Sequence, residues 1–479
     1  MSIQAIRLRN FRGFRDTSIQ LKPLTVLLGP NSAGKSAFGH ALAAMAHAQW
    51  FHSGSGQASL TPAPKDADDW PVDLGNLADL RTDGVVDRVY VGLETNEGLV
   101  DLGFGFELPL PSARDLRLSY VAHPRGLDES AAVTTTVRAQ GEVPGAQSEV
   151  VSLGVSEPQK SPGRLVLRRI NENMWHDAGE DSACLVGLDG LMVMTVQHQP
   201  GGTSRQLSGA ARDEVRTFLK GLAYLRATRK RPSRSYRAET GPRQAIGYAG
   251  EWTATILNER RGEIVPFVRP PQIPNTVDEA AATLDAPWDQ GTMKLLSAVD
   301  EWLQLLHLAT SIESTAIEGS RGQLQIRATL PGQQSHNITE IGFGISQIVP
   351  VLVAGLLQPE NGILIVDLPE AHLHPRTQAQ LADFFCSLAL SGRSILVETH
   401  SEMFFHRLRL LAEMNHELRD RIAVYFIDPP KKDGLCSEPH LVGLSYDEEL
   451  IWPSGFLQEA WETEAQINAV RQARGKPRP

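Results

Sequence analysis

Gly29-Pro30-Asn31-Ser32-Ala33-Gly34-Lys35-Ser36 decides how this chain is read. Its spacing is G-x-x-x-x-G-K-[ST], the pattern of a loop that cradles phosphates. The flanks agree with it. Leu24-Thr25-Val26-Leu27-Leu28 is a short apolar run of strand type, and Ala37 to Gln49 is rich in Ala, Met and Leu, as a helix would be. Gly29 and Gly34 let backbone N–H groups turn inward around an anion, and the helix start adds its positive dipole end. On this reading Gly29, Pro30, Asn31, Ser32, Ala33, Gly34, Lys35, Ser36 and Ala37 line a nucleotide. Lys35 reaches the β- and γ-phosphates and Ser36 holds Mg²⁺. A loop that merely turns a strand into a helix is the plain alternative.

Composition bounds what surrounds this loop. The chain has 479 residues, enough for two or three domain-sized units. Hydrophobic content of 41% against 21% charged indicates a globular protein and excludes a disordered one. The three cysteines, Cys184, Cys386 and Cys436, are far apart, which argues for a reducing compartment and against a disulfide framework or zinc cluster. No apolar run approaches the ~20 residues of a membrane span. Met1-Ser2-Ile3-Gln4 opens directly into a strand-like segment without a signal peptide, so the expected location is the cytoplasm. A net charge of −10 excludes a surface that is basic overall. One local exception is Arg226, Arg229, Lys230, Arg231, Arg234, Arg237 and Arg243, interleaved with Tyr224 and Tyr236. This cluster is suited to a DNA or RNA backbone or to a nucleotide's phosphates, and the alternative is a solvated basic loop.

The periodicity changes along the chain. Ile3 to Arg9 and Thr17 to Leu21 read as strands around a turn at Asn10-Phe11-Arg12-Gly13-Phe14. His52 to Asp69 reads as a loop. From 84 to 205, short alternating apolar runs separated by Gly, Pro and Ser predict a β-rich insertion. From 206 to 338 the pattern is helical and basic, with a helix at Asp213–Tyr224, an amphipathic stretch at Thr292–Ala309 and an alternating run at Gln323–Leu330. From 339 to 479 it is α/β: a buried helix at Ile345–Leu357, helices at Gln378–Ala389 and Glu402–Met414, and strands at Ile363–Val366, Ser394–Glu398 and Ile422–Ile427.

Three of these late segments supply chemistry that the phosphate loop lacks. Ile363-Leu364-Ile365-Val366-Asp367 is an apolar strand ending in a carboxylate, able to hold Mg²⁺ through water. Val397-Glu398-Thr399-His400-Ser401 places His400 just past the next strand, where a neutral imidazole can bond a γ-phosphate or an attacking water. Ile341-Gly342-Phe343-Gly344-Ile345-Ser346-Gln347 precedes a helix that Ser346 is expected to cap, offering its N-terminus to a phosphate. All three lie more than 300 residues after the loop, so both ends of the chain contribute to one site.

This arrangement resembles the ATP-binding-cassette ATPases of the SMC and RecF type. It is more similar still to the bacterial AAA-family ATPases related to the OLD proteins, in particular a branch with a C-terminal region of unknown function. The residues that carry the resemblance are Asn10 to Phe14, Gly29 to Ser36, Val72-Asp73-Leu74-Gly75-Asn76, Val349-Pro350-Val351-Leu352, Pro369-Glu370-Ala371-His372-Leu373-His374-Pro375, Glu398 to Glu402, and Ile451-Trp452-Pro453-Ser454-Gly455-Phe456. It implies an α/β cassette-type head built from both chain ends, 1–83 and 339–479, with an inserted β-rich lobe at 84–205 and a short helical arm near 292–309 within 206–338. It implies ATP and Mg²⁺, with Ser36 and Asp367 at the metal and Arg12 at the nucleotide. It implies a head-to-tail homodimer or higher oligomer, in which the segment around Gly344 and Ser346 caps ATP on the partner's loop.

The chain departs from the family's pattern at Leu368, where cassette ATPases place the glutamate that polarises water. Glu370 is the natural substitute, with His400 as the other candidate, and Lys35 completes the catalytic set. His372 and His374 are accounted for by the family turn better than by metal binding. Glu251 matches a family segment without an evident role, and Trp252, Trp288, Trp302, Trp452 and Trp461 read as packing residues. OLD nucleases carry clustered acidic metal ligands after the head; here Asp447, Glu448 and Glu449 are merely consecutive, so no nuclease is expected. The expectation is therefore a cytoplasmic ATPase, with no membrane contact, that acts on or senses nucleic acid with a separately encoded effector, in anti-phage defence or DNA repair. The alternative is an ATP-gated scaffold that holds an effector with little hydrolysis.

Overall fold

The computed structural model describes residues 3–51, 89–96, 210–238, 246–271, 287–429 and 437–444, together with nine strands between 98 and 206 and the helical residues 466 and 469. The loop at His52–Asp69, the segments Val72–Asn76 and Ile451–Phe456, and Arg243, Cys436, Asp447, Glu448, Glu449, Trp452 and Trp461 lie outside the described residues.

The N-terminal hairpin of β1 (Ile3–Phe11) and β2 (Phe14–Gln20) turns at Arg12-Gly13, both at positive φ. β3 (Leu24–Leu28) is buried throughout and leads through the phosphate loop into α1 (Ser36–Phe51). β4 (Val89–Thr95) returns to pair with β1. Beyond it run β5 (Gly98–Gly105), β6 (Leu116–Pro124), β7 (Val133–Ala139), β8 (Glu149–Val155), β9 (Gly163–Arg169), β10 (Met174–Asp177), β11 (Ser182–Asp189), β12 (Met192–His198) and β13 (Ser204–Gln206). Each pairs antiparallel with the one before, so the β-rich stretch extends the sheet of β1 and β2 into twelve strands.

α2 (Ala210–Lys220) carries the chain back to β14 (Ala223–Leu225). There follow β15 (Tyr236–Arg237), α3 (Thr253–Glu259), the hairpin β16 (Ile264–Arg269) and β17 (Asp289–Lys294), and α4 (Leu295–Leu305). β18 (Ser311–Ala316), β19 (Gln323–Thr329) and β20 (Ser335–Asn337) join β15 in a small antiparallel sheet. The helical arm expected near 292–309 is α4, and it does not stand out as an arm. Its Leu295, Ala298, Val299, Trp302 and Leu303 are buried, and Trp302 meets Phe384 edge-on at 5.1 Å. An apolar stripe of this width is covered by the domain itself.

The remaining elements are α5 (Phe343–Leu357), β21 (Leu364–Asp367), α6 (Pro375–Leu390), β22 (Ile395–Glu398), α7 (Glu402–Met414), α8 (His416–Asp420), β23 (Ile422–Asp428) and β24 (Glu438–Leu441). With β3 and β14 they build a second sheet in the order β14-β21-β22-β3-β23-β24, parallel except for β24. Its inner strands β21, β22, β3 and β23 are apolar at nearly every position because both faces are covered, whereas the edge strand β24 is largely exposed. Val26, Leu364, Val366 and Val397 point into a core shared with α4, α5, α6 and α7. Leu27, Ile365, Leu396 and Ala423 point the other way, onto α1 and the first sheet. The parallel sheet thus unites residue 24 with residue 428, and the carboxyl ends of β3, β22 and β21 lie side by side. In an open parallel sheet that edge is where ligands bind.

Candidate functional site

The phosphate loop leaves β3 through Gly29 (φ 143°), where any side chain would strike the Ile427 carbonyl at 2.5 Å. Ser32 (φ 63°) and Gly34 (φ 97°) complete the curl, and Gly34 packs against the Phe14 ring. Lys35 is buried, and its Nζ donates to the carbonyls of Gly29 (3.1 Å) and Pro30 (2.7 Å). Burial holds its pKa below the usual lysine value, while Glu398 and Glu370 pull it back up.

Three buried carboxylates gather at and just beyond the neighbouring strand ends, and two of them, Glu398 and Glu370, act on this lysine. Asp367 and Glu398 are register partners at the ends of β21 and β22. Ser36 Oγ donates to Glu398 Oε1 at 2.9 Å. Asp367 accepts from the Tyr224 hydroxyl and lies 4.0 Å from His40, whose other ring nitrogen contacts Arg12 at 2.9 Å. Glu370 Oε1 accepts from the His400 backbone N–H at 2.8 Å. Oε2 of Glu370 and Oε2 of Glu398 are both buried without a hydrogen-bond partner. Burial raises all three carboxyl pKa values, that of Asp367 to about 7, with Glu398 as the second cause. His40 is pushed down to about 4 by burial and by Arg12, so it is neutral. His400 is exposed beside the loop, bonded to the Gly29 backbone, and shifted downward by burial of part of its ring and by Lys35.

Of the residues expected at the site, the structure therefore gathers Gly29 to Ser36, Arg12, Asp367, Glu370 and His400 at one edge of the parallel sheet. Gly344 and Ser346 are placed elsewhere. Their segment packs on the turn after β21, with Gly344 against the His372 carbonyl and Phe343 edge-on to the His372 ring at 4.8 Å. Ser346 does not cap α5, because Gly342 holds the cap position without a side-chain bond. Ser346 lies one turn inside, where its buried hydroxyl folds back onto the Phe343 carbonyl at 2.6 Å. His374 does cap a helix, accepting from Arg376 N–H at the start of α6. Glu251 bonds the Ala249 N–H and closes its own turn.

The basic cluster is divided. Arg229 is 4% exposed and donates to the carbonyls of Asp367 (2.9 Å) and Leu368 (3.3 Å). It braces the strand end that carries Asp367, and this part of the cluster is no open phosphate grip. Arg234 pairs with Glu340 at 2.9 Å, while Lys230, Arg231 and Arg237 are exposed. Sequence reasoning assigned no role to Glu398, and it gave neither Tyr224 nor Arg229 its actual place. The signal for Glu398 was present, since Ile395-Leu396-Val397-Glu398 repeats the apolar-strand-plus-carboxylate pattern of Asp367.

The family comparison falls on the same two chain ends. An AAA ATPase domain matches residues 1–79 and 271–405, which contain the loop and both carboxylate-bearing strands. The match covers less than half of the chain. No curated protein matches the chain. Similar solved structures include the SMC head domain from Thermotoga maritima, at 10% identity and a TM-score of 0.33, covering 92% of this chain and 100% of that one. Another is an SMC head bound to the C-terminal winged-helix domain of ScpA, at 12% identity and a TM-score of 0.39, covering 93% and 99%. A third, from work on ATP-driven dimerisation and DNA-stimulated activation of SMC ATPases, is 15% identical with a TM-score of 0.25, covering 36% and 91%. Among the described residues no helix is long and apolar enough to cross a membrane.

Proposed function

We propose that the ATPase domain binds ATP with Mg²⁺ at Gly29–Ala37 and hydrolyses it slowly, with Glu370 orienting the attacking water. The observation that carries this reading is the convergence of Lys35, Ser36 and three buried carboxylates at the carboxyl ends of β3, β22 and β21. The donor set of Ser36 and Asp367 is all oxygen, as a site for a hard cation requires, and the buried Oε2 of the adjacent Glu398 lacks a partner. When bound, Mg²⁺ supplies positive charge next to the phosphates. Lys35 then exchanges its loop carbonyls for phosphate oxygens, and Ser36 and Asp367 hold the cation. Glu370 is kept in place by the His400 N–H, with one oxygen left to accept a proton. Leu368 adopts φ 45° where the family places its glutamate, and its aliphatic side chain accepts no proton, which supports slow turnover.

The dimer belongs to the same proposal. Gly342 and Phe343 are exposed at the start of α5, a surface suited to the partner's nucleotide. Exposed Lys230, Arg231 and Arg237 support action on nucleic acid, and the lack of a nuclease-type acidic cluster in the sequence supports a separately encoded effector, as in anti-phage defence or DNA repair, while the acidic net charge favours the second reading below. The Ile451–Phe456 signature supports the OLD-related branch. The second reading, an ATP-gated scaffold, is favoured by Leu368. Steady-state ATP hydrolysis with and without double-stranded DNA decides between them. Turnover that is abolished in Lys35→Ala, raised by DNA, and no longer raised by DNA in Lys230→Glu/Arg231→Glu supports the first. Tight ATP binding without turnover selects the scaffold.

A further inference from the structure

The two strands flanking the nucleotide edge end alike, Ile365-Val366-Asp367 and Leu396-Val397-Glu398, with the carboxylates opposite one another. Asp367 is engaged by Tyr224 and faces His40. It is Glu398 that touches the loop, accepting the Ser36 hydroxyl at 2.9 Å through Oε1. Glu398 is 8% exposed, and its Oε2 is buried without a partner. Lys35, the nearest cation, directs its ammonium at the Gly29 and Pro30 carbonyls. Leaving a buried carboxylate oxygen unmatched is costly, and a cation placed against it removes the cost.

The chemistry of the hole selects the cation. Two carboxylates and a hydroxyl are hard oxygen donors, and Mg²⁺ takes one or two carboxylates and completes its octahedron with phosphates and water. Among the described residues no three His, Cys, Asp or Glu side chains form a closed metal cage, so the remaining ligands come from nucleotide and water. We propose that Glu398 is a second carboxylate of the divalent-cation site, acting with Ser36 and Asp367; this rests on the ATP reading above. Glu398 thereby positions the cation, and Glu370, bonded to the His400 N–H, is left to the water.

The test is Mn²⁺ binding, read by electron paramagnetic resonance, to the full chain saturated with a non-hydrolysable ATP analogue. Analogue binding in EDTA is measured alongside it. Glu398→Gln keeps the size of the side chain and an acceptor for Ser36 while removing the charge. It lowers Mn²⁺ affinity at least about tenfold and leaves analogue affinity in EDTA within about twofold. Glu370→Gln retains wild-type Mn²⁺ affinity. Wild-type Mn²⁺ affinity in Glu398→Gln overturns the proposal and leaves Glu398 as an anchor for the Ser36 hydroxyl alone. If Glu398→Gln does not fold, Glu398→Asp decides: weakened Mn²⁺ binding supports the proposal, and unchanged binding overturns it. A wild-type chain that binds no analogue either with saturating Mg²⁺ or in EDTA overturns the ATP reading, and the proposal with it.

Discussion

On the phosphate-loop side of the ATPase domain the charged groups are turned inward. Lys35, Asp367, Glu370, Glu398 and Arg229 are all buried within one hydrogen-bonded cluster drawn from β3, β21, β22 and the segment after β14. The Gly342–Ser346 side is the reverse. There α5 begins at an exposed glycine without a side-chain cap, Phe343 is 40% exposed, and the one serine is spent on its own helix. The loop side is built entirely within one subunit. The α5 side holds an exposed surface away from its own loop, and the proposed dimer gives it to a second subunit.

Glu370→Gln strains this contrast hardest. It leaves ATP binding at the loop intact and lowers turnover about 10²–10³-fold, as loss of a general base does. Measured kcat beside analogue affinity separates the two effects, and a fall in affinity alone would move Glu370 from the chemistry to the binding site. Phe343→Glu probes the other side. An exposed position tolerates the charge, so the fold and single-subunit ATP binding are unchanged, while ATP-dependent dimerisation weakens about tenfold or more by sedimentation. Unaltered dimerisation would leave the α5 surface without a partner.

The smallest effect lies in the stability of the nucleotide-free and cation-free protein. Asp367 has a folded pKa of about 7 against 3.8 for an ordinary aspartate. Between those values the unfolded chain has released the proton while the folded chain keeps it, so stability declines as pH rises through that window. Asp367→Asn removes the decline. It gains about 1–3 kcal/mol over wild type at pH 8 and nothing at pH 4, by denaturant unfolding. A gain of equal size at both pH values would show that packing, not the buried charge, separates the two proteins.

What the sequence revealed follows the range of the interactions involved. The phosphate loop and the Glu402–Met414 helix were legible because a glycine spacing and an apolar stripe are local. The Ser36–Glu398 bond spans 362 positions, and Tyr224 meets Asp367 across 143. No local pattern encodes such pairs; they exist because β14, β21, β22 and β3 became neighbours in one sheet. Arg229 shows the opposite error, in which a run of basic residues suggested solvent while the fold turned one of them inward onto two carbonyls. Ser346 was misread because its cap position depends on where α5 starts, and helix starts shift by a residue or more when Gly342 serves instead.

Complementation between two inactive variants asks whether a second subunit completes the proposed site. Lys35→Ala lacks a working loop but keeps its α5 surface, and Phe343→Glu has the converse defect. Each alone should be nearly inactive in steady-state ATP hydrolysis, while a mixture forms one intact composite site per heterodimer. With half of the dimers mixed and one of two sites intact in each, the equimolar mixture recovers about a quarter of wild-type turnover. A mixture no more active than its components would contradict a site completed by the second subunit.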